Sequence, residues 1–175
     1  NQDPFKVTSV ESNLKRDDYS HTLGLQTRMT NRAYRALEML EDNKKISKDD
    51  LLKIKFDNQY SKQSRSYKYI EPIFNMQFDS KILKGAQKIL LNWDLRTDFN
   101  NRGAALGVCI LSHEWLAEQE SRKPPEVMPI FQECADELRK NFNRLDPKWS
   151  EVNLLIRGKN KIPVQGGPDT MRAIY

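Results

Sequence analysis

The side chains that could do chemistry in this chain are few and scattered. Its two histidines, His21 and His113, lie far apart. His113 follows an apolar run and neighbours Glu114 and Trp115, so a catalytic base is conceivable there, but the position reads first as an ordinary helix-face histidine. There is no HExxH, CxxC or GxSxG arrangement, and Gly166-Gly167-Pro168 is not followed by the Lys-Ser/Thr pair of a phosphate loop. No motif therefore implies a metal or an organic cofactor. Asn1, three residues before Pro4, and Arg28 carry no chemistry that their residue types and spacing establish. Taken singly, the first reads as a turn and the second as a first-turn surface residue. Cys109 and Cys134 form neither a metal motif nor a disulfide framework. Each falls on an apolar helical face, which suits buried thiols, or a single bridge between neighbouring helices if the protein is exported.

The elements that must position these residues are mostly helical. Thr30 or Asn31 can cap a helix running to about Glu41, with Ala33, Ala36, Leu37 and Leu40 at helical spacing. Ser47 and Asp50 form a capping box ahead of a short helix through Leu51, Leu52 and Ile54. Asp57 to Pro72 is polar and aromatic and reads as a loop. Ser80 caps a helix whose stripe is Ile82, Leu83, Ala86, Ile89, Leu90 and Trp93. Gly103 to Glu118 is almost continuously apolar and should be the central helix, burying Leu106, Val108, Leu111 and Trp115. A last helix buries Ile130, Phe131, Cys134, Ala135, Leu138 and Phe142, with Pro129 in its first turn. Beyond Pro147 the pattern becomes extended, with segments at Val152–Ile156, Lys161–Val164 and Thr170–Tyr175. The reading is one domain of mainly α class, with an irregular lead-in over 1–26, about five helices over 27–146 and a short β tail over 147–175.

With 175 residues the chain can bury one core, and its 38% hydrophobic, 30% charged composition gives a well-charged surface. No run is long and apolar enough to cross a membrane. The net charge of +5 is spread along the chain. Its densest stretch, KQSRSYKY, interleaves bases with Tyr67 and Tyr69 as a nucleic-acid groove does, and as an exposed loop also does. The bases are too dispersed for a nucleic-acid partner to be the expectation.

A series of runs carries more than any single residue: NQDPF, TRMTNRAYRALEML, ISKDDLLKIKFDNQYS, LLNWDLRTDFNNRGAAL and GGPDTMRAIY. In this order they resemble the β-chain of the penicillin acylase family of N-terminal nucleophile hydrolases, in the branch of aculeacin acylase and the acyl-homoserine lactone acylases. The resemblance implies an interior segment of an α+β (αββα) enzyme that cleaves the amide of an N-acylated small molecule. Acyl-homoserine lactones, lipopeptides and β-lactams are the implied substrate types. It implies that Asn1 completes the oxyanion hole and that Arg28 holds the site in place. A neutral amide donor suits the first role because it meets charge on the tetrahedral oxygen without reorganising, a contribution of about 3–4 kcal/mol. The implied nucleophile is the first residue of a mature β-chain, activated by its own α-amine, and Asn1 cannot serve as one. The implied partners are therefore the remaining α- and β-chain segments, the implied location is periplasmic or secreted, and the chain alone should be inactive. The alternative is a non-catalytic helical interaction module that keeps the acylase framework. A Gly-Ser type cleavage junction in the parent sequence ahead of Asn1 would separate the two.

Overall fold

A computed structural model describes residues 15–24, 29–40 and 45–171. Two short 3-10 turns, Arg16–Asp18 and His21–Leu23, open the described chain. Seven helices follow: α1 (Asn31–Leu40), α2 (Lys48–Lys55), α3 (Arg65–Phe74), α4 (Lys81–Leu91), α5 (Ala104–Gln119), α6 (Val127–Phe142) and α7 (Trp149–Val152). An antiparallel hairpin of β1 (Leu154–Arg157) and β2 (Asn160–Pro163) comes last, with Leu155 opposite Ile162 and Ile156 opposite Lys161. The described part is thus mainly helical, with a small hairpin near its C-terminal end.

Local chemistry accounts for where the helices start. Thr30 Oγ1 accepts from Ala33 N at 3.2 Å at the head of α1. Ser47 Oγ accepts from Asp50 N at 3.1 Å while the Asp50 carboxylate accepts from Ser47 N at 3.2 Å, completing the capping box. Ser64 and Ser80 cap α3 and α4 with the hydroxyl alone, accepting from Tyr67 N and Leu83 N. At α5 the cap is Asn101, whose Oδ1 accepts from Gly103 N and Ala104 N at 3.0 and 2.9 Å. Asn101 is held in turn by Asp94, which accepts from its amide at 2.7 Å. The Trp93-Asp94 pair and the Asn101–Ala105 run therefore work as one unit: Asp94 orients the cap, and Trp93 packs under the helix that the cap starts.

The core is built around α5. Leu106, Ile110 and Leu111 are buried there against Ile70 and Ile73 of α3, Ala86 and Leu90 of α4, and Phe131, Cys134 and Ala135 of α6. Cys109 and Cys134 are bridged, with Cα atoms 5.9 Å apart, so the pair staples α5 to α6.

Several expectations need correction. Asp57–Pro72 is not all loop, because α3 begins at Arg65. Pro72 lies inside this helix, exposed in its last turn. Trp115 is only partly buried, and Leu116 is 46% exposed; the inward positions of the last turns of α5 belong to Glu114 and Ala117. Val152 ends α7 and lies outside β1. Thr170, the expected start of the terminal strand, instead closes a turn, its N donating to Gly167 O at 3.2 Å. The remainder of the expected terminal strand, 172–175, lies outside the described residues, as do most of the 1–26 lead-in, including its first 14 residues, and both Asn1 and Arg28.

Candidate functional site

Asn31, the first residue of α1, is 1% exposed and is held at every polar atom. Its backbone N–H donates to Asp169 Oδ2 at 2.7 Å. Its side-chain amide donates to the carbonyls of Gln59 and Asp169 at 3.1 and 3.0 Å, and its Oδ1 accepts from Ser61 N at 2.8 Å. One side chain thus ties three segments together: the start of α1, the 57–61 connection and the 167–170 turn. The carboxylate of Asp169 lies over the N-terminus of α1, where unpaired N–H groups and the helix dipole favour an anion. Asp169 has φ +58°, a left-handed conformation that Asp tolerates better than most residues.

Charged groups extend this junction on both sides. Arg35 forms a two-pronged pair with buried Asp57, Nε to Oδ2 at 2.8 Å and Nη2 to Oδ1 at 3.0 Å. Its Nη1 donates to Glu38 at 2.7 Å, and Glu38 accepts from the Ser61 hydroxyl. The bond to Asp57 raises the pKa of Arg35 against the opposing effect of burial. On the other side Arg65 Nε donates to buried Glu114 at 2.6 Å, and Ser66 Oγ donates to the second Glu114 oxygen at 3.1 Å. Arg65 also lies 3.8 Å from Glu118 and 4.0 Å from Asp169. A buried carboxylate is tolerable when its lone pairs are met by donors and a cation, as here.

The 166–170 segment is fastened to the rest of the fold independently. Tyr60 Oη donates to Pro168 O at 2.8 Å, and Trp149 Nε1 donates to Gly166 O at 3.0 Å. Gly167 is required beneath Tyr60, because a Cβ there would fall 2.7 Å from the phenol oxygen.

This junction positions backbone; it does not itself present a nucleophile. Its carboxylates and guanidinium groups are engaged with one another. A groove of about 490 Å³ beside it is lined by Arg65, Lys68, Tyr69, Glu114 and Glu118 together with Ser121–Pro124. Among the described residues no cluster of His, Cys, Asp and Glu could hold a metal ion. His113 is half-buried on α5. The two site residues expected from sequence, Asn1 and Arg28, lie outside the described residues, so the structure brings neither to a site. What it does place is the chain just after Arg28: Thr30 caps α1 and Asn31 anchors it. Asn31 and Asp169 were not singled out from sequence as interacting, and they lie 138 residues apart. The pointer to them was that the TNRAY and GGPDT runs both belong to the series of family-like segments.

The penicillin amidase family model matches residues 2–173 of this chain, nearly its whole length. The chain belongs to the penicillin amidase family, and with it to a lineage of amide-cleaving hydrolases. No curated protein gives a significant match.

Proposed function

We propose that this chain is a β-chain segment of an amidohydrolase that cleaves the amide of an N-acylated small molecule, of acyl-homoserine lactone, lipopeptide or β-lactam type. The observation that carries the reading is the family match over residues 2–173. In the proposed mechanism a nucleophile supplied outside this chain adds to the acyl carbonyl. The Asn1 amide donates to the oxygen as it gains charge. The tetrahedral intermediate then collapses, expelling the amine, and water releases the acyl group. Arg28 holds the surrounding site through its rigid fork of donors. The fixed Thr30–Asn31 anchor supports that role, since it restricts the chain two residues beyond Arg28. The Cys109–Cys134 bridge supports a periplasmic or secreted protein, because disulfides persist chiefly in oxidising compartments.

Steady-state kinetics of the complete enzyme test the reading. Asn1→Ala should lower kcat about a hundredfold or more and leave KM nearly unchanged, because an oxyanion donor acts in the transition state. A near-normal kcat removes Asn1 from the oxyanion hole. The chain by itself should turn over no acyl amide, and robust turnover abolished by a substitution within it would overturn the segment assignment.

A further inference from the structure

The hairpin offers one open strand edge and carries a net positive charge shared between its two strands and turn. A single antiparallel pair buries little and is marginal alone, and here β1 and β2 form a two-stranded sheet with no third strand among the described residues. The Gly158-Lys159 turn connects them, with Gly158 at φ +58°. Val164 N donates to Asn153 O at 3.0 Å just below the hairpin. Asn153–Val164, Leu155–Ile162 and Arg157–Asn160 are therefore the hydrogen-bonded pairs. The alternate pairs, Leu154–Pro163 and Ile156–Lys161, turn their backbone groups outward.

The two outer edges are not equivalent. On β2 the outward position 163 is proline, which has no N–H and blunts that edge. On β1 the outward groups of Leu154 and Ile156 are both intact, Ile156 is 57% exposed, and no hydrogen bond from another described element meets them. From Asn153 to Gln165 the chain carries Arg157, Lys159 and Lys161 and no acidic residue.

We propose that the β1 edge is a strand-addition site for an extended, acidic segment of another polypeptide. Backbone pairing would supply the affinity, and the three cations would select the charge of the partner. A second copy of this hairpin is a poorer occupant, because it brings the same three positive charges. A membrane surface is poorer as well. Leu155 and Ile162 lie on one face and Ile156 on the other, so no single face gathers the exposed apolar side chains. The inference is independent of the amidohydrolase reading.

The test is fluorescence anisotropy of a short labelled peptide in which glutamate alternates with valine, titrated with the purified chain. The peptide should bind, more weakly as salt rises, and a lysine–valine peptide should not. Ile156→Pro removes the outward N–H, and Arg157→Glu reverses one charge without touching the edge; each should weaken binding about tenfold or more. Lys53→Glu, on α2, makes the same change in net charge and should leave binding unaltered. Should the proline variant lose its thermal transition, Arg157→Glu against Lys53→Glu decides. Absence of peptide binding, equal binding of the lysine peptide, or equal weakening by Lys53→Glu overturns the proposal. So does sedimentation showing only self-association, or flotation showing only capture by anionic vesicles.

Discussion

Gly107 of α5 lies directly against the indole of Trp93: a Cβ built on Gly107 would fall 2.1 Å from Cζ3 of that ring. Gly103, one turn earlier, meets the same side chain, with its built Cβ 2.6 Å from Trp93 Cβ. The indole is pinned from its polar end too, since Nε1 donates to Arg96 O at 2.8 Å. The spacing of the two glycines is therefore that of a helix pressed onto a tryptophan that cannot withdraw.

Gly107→Ala sets two effects against each other. In a free helix the change should stabilise by about 1 kcal/mol. In this helix the methyl group must displace a buried ring, and overpacking of that kind costs about 1–3 kcal/mol or more. At 2.1 Å the overlap is too deep for small adjustments, so the steric cost wins and the variant should be less stable. Urea unfolding checks the sign, and a variant as stable as the parent would mean that the ring has room to move.

The Cys109–Cys134 bridge closes a separation of 25 residues across α5 and α6. Closing a loop of that length removes denatured-state entropy worth about 3.5 kcal/mol on the chain-entropy model. Replacing both cysteines with alanine should lower the unfolding free energy by about that amount, with a smaller part from lost packing. If reduction and double replacement both leave the denaturation midpoint unchanged, the bridge contributes nothing to the fold.

The helices were legible where one face repeats, as in the Ala86–Leu90–Trp93 stripe, or where a cap is written locally, as at Ser47–Asp50. Helix α3 was missed because its inward positions include Ser66 as well as Ile70 and Ile73, and because Pro72 imitates a breaker. Glu114 was passed over on the apolar helix because its burial depends on Arg65 and Ser66, respectively 49 and 48 residues away. The Asn31–Asp169 junction depends on contacts 138 residues apart, and periodicity carries no information at that range. For the candidate site, resemblance nominated Asn1 and Arg28, and local pattern alone gave no reason to choose them.

Tyr69 makes a pH prediction. Its hydroxyl donates to Pro125 O at 3.0 Å. Burial, followed by the negative fields of Glu114 and Glu126, pushes its pKa up to about 12, from an ordinary value of about 10. The folded state thus favours the neutral phenol. That contribution to stability is complete below about pH 10 and is lost as pH rises towards 12, where the unfolded chain has already released the proton. The difference between parent and Tyr69→Phe in an ultraviolet phenolate titration should show one group ionising near 12. A group lost from the normal range near 10 would show that Tyr69 is open to water.

The Asn31 clamp can be tested by two replacements that fail in different ways. Asn31→Ala removes both donors and the acceptor, leaving Gln59 O, Asp169 O and Ser61 N without that partner in a buried site. Unmet buried groups of this kind should cost about 2–4 kcal/mol in total. Asn31→Asp keeps an acceptor for Ser61 N but turns its other carboxylate oxygen towards two carbonyls, close to the existing Asp169 carboxylate. At neutral pH it should therefore be less stable than the alanine variant, although it preserves the shape of the side chain. Burial and the neighbouring Asp169 oppose the charge of the introduced carboxyl, so by about pH 4 it has gained a proton and can donate one bond, and the gap between the two variants should narrow. Urea unfolding at both pH values measures this. An alanine variant within about half a kcal/mol of the parent, the range of an ordinary surface change, would show that Asn31 does not hold the α1 anchor.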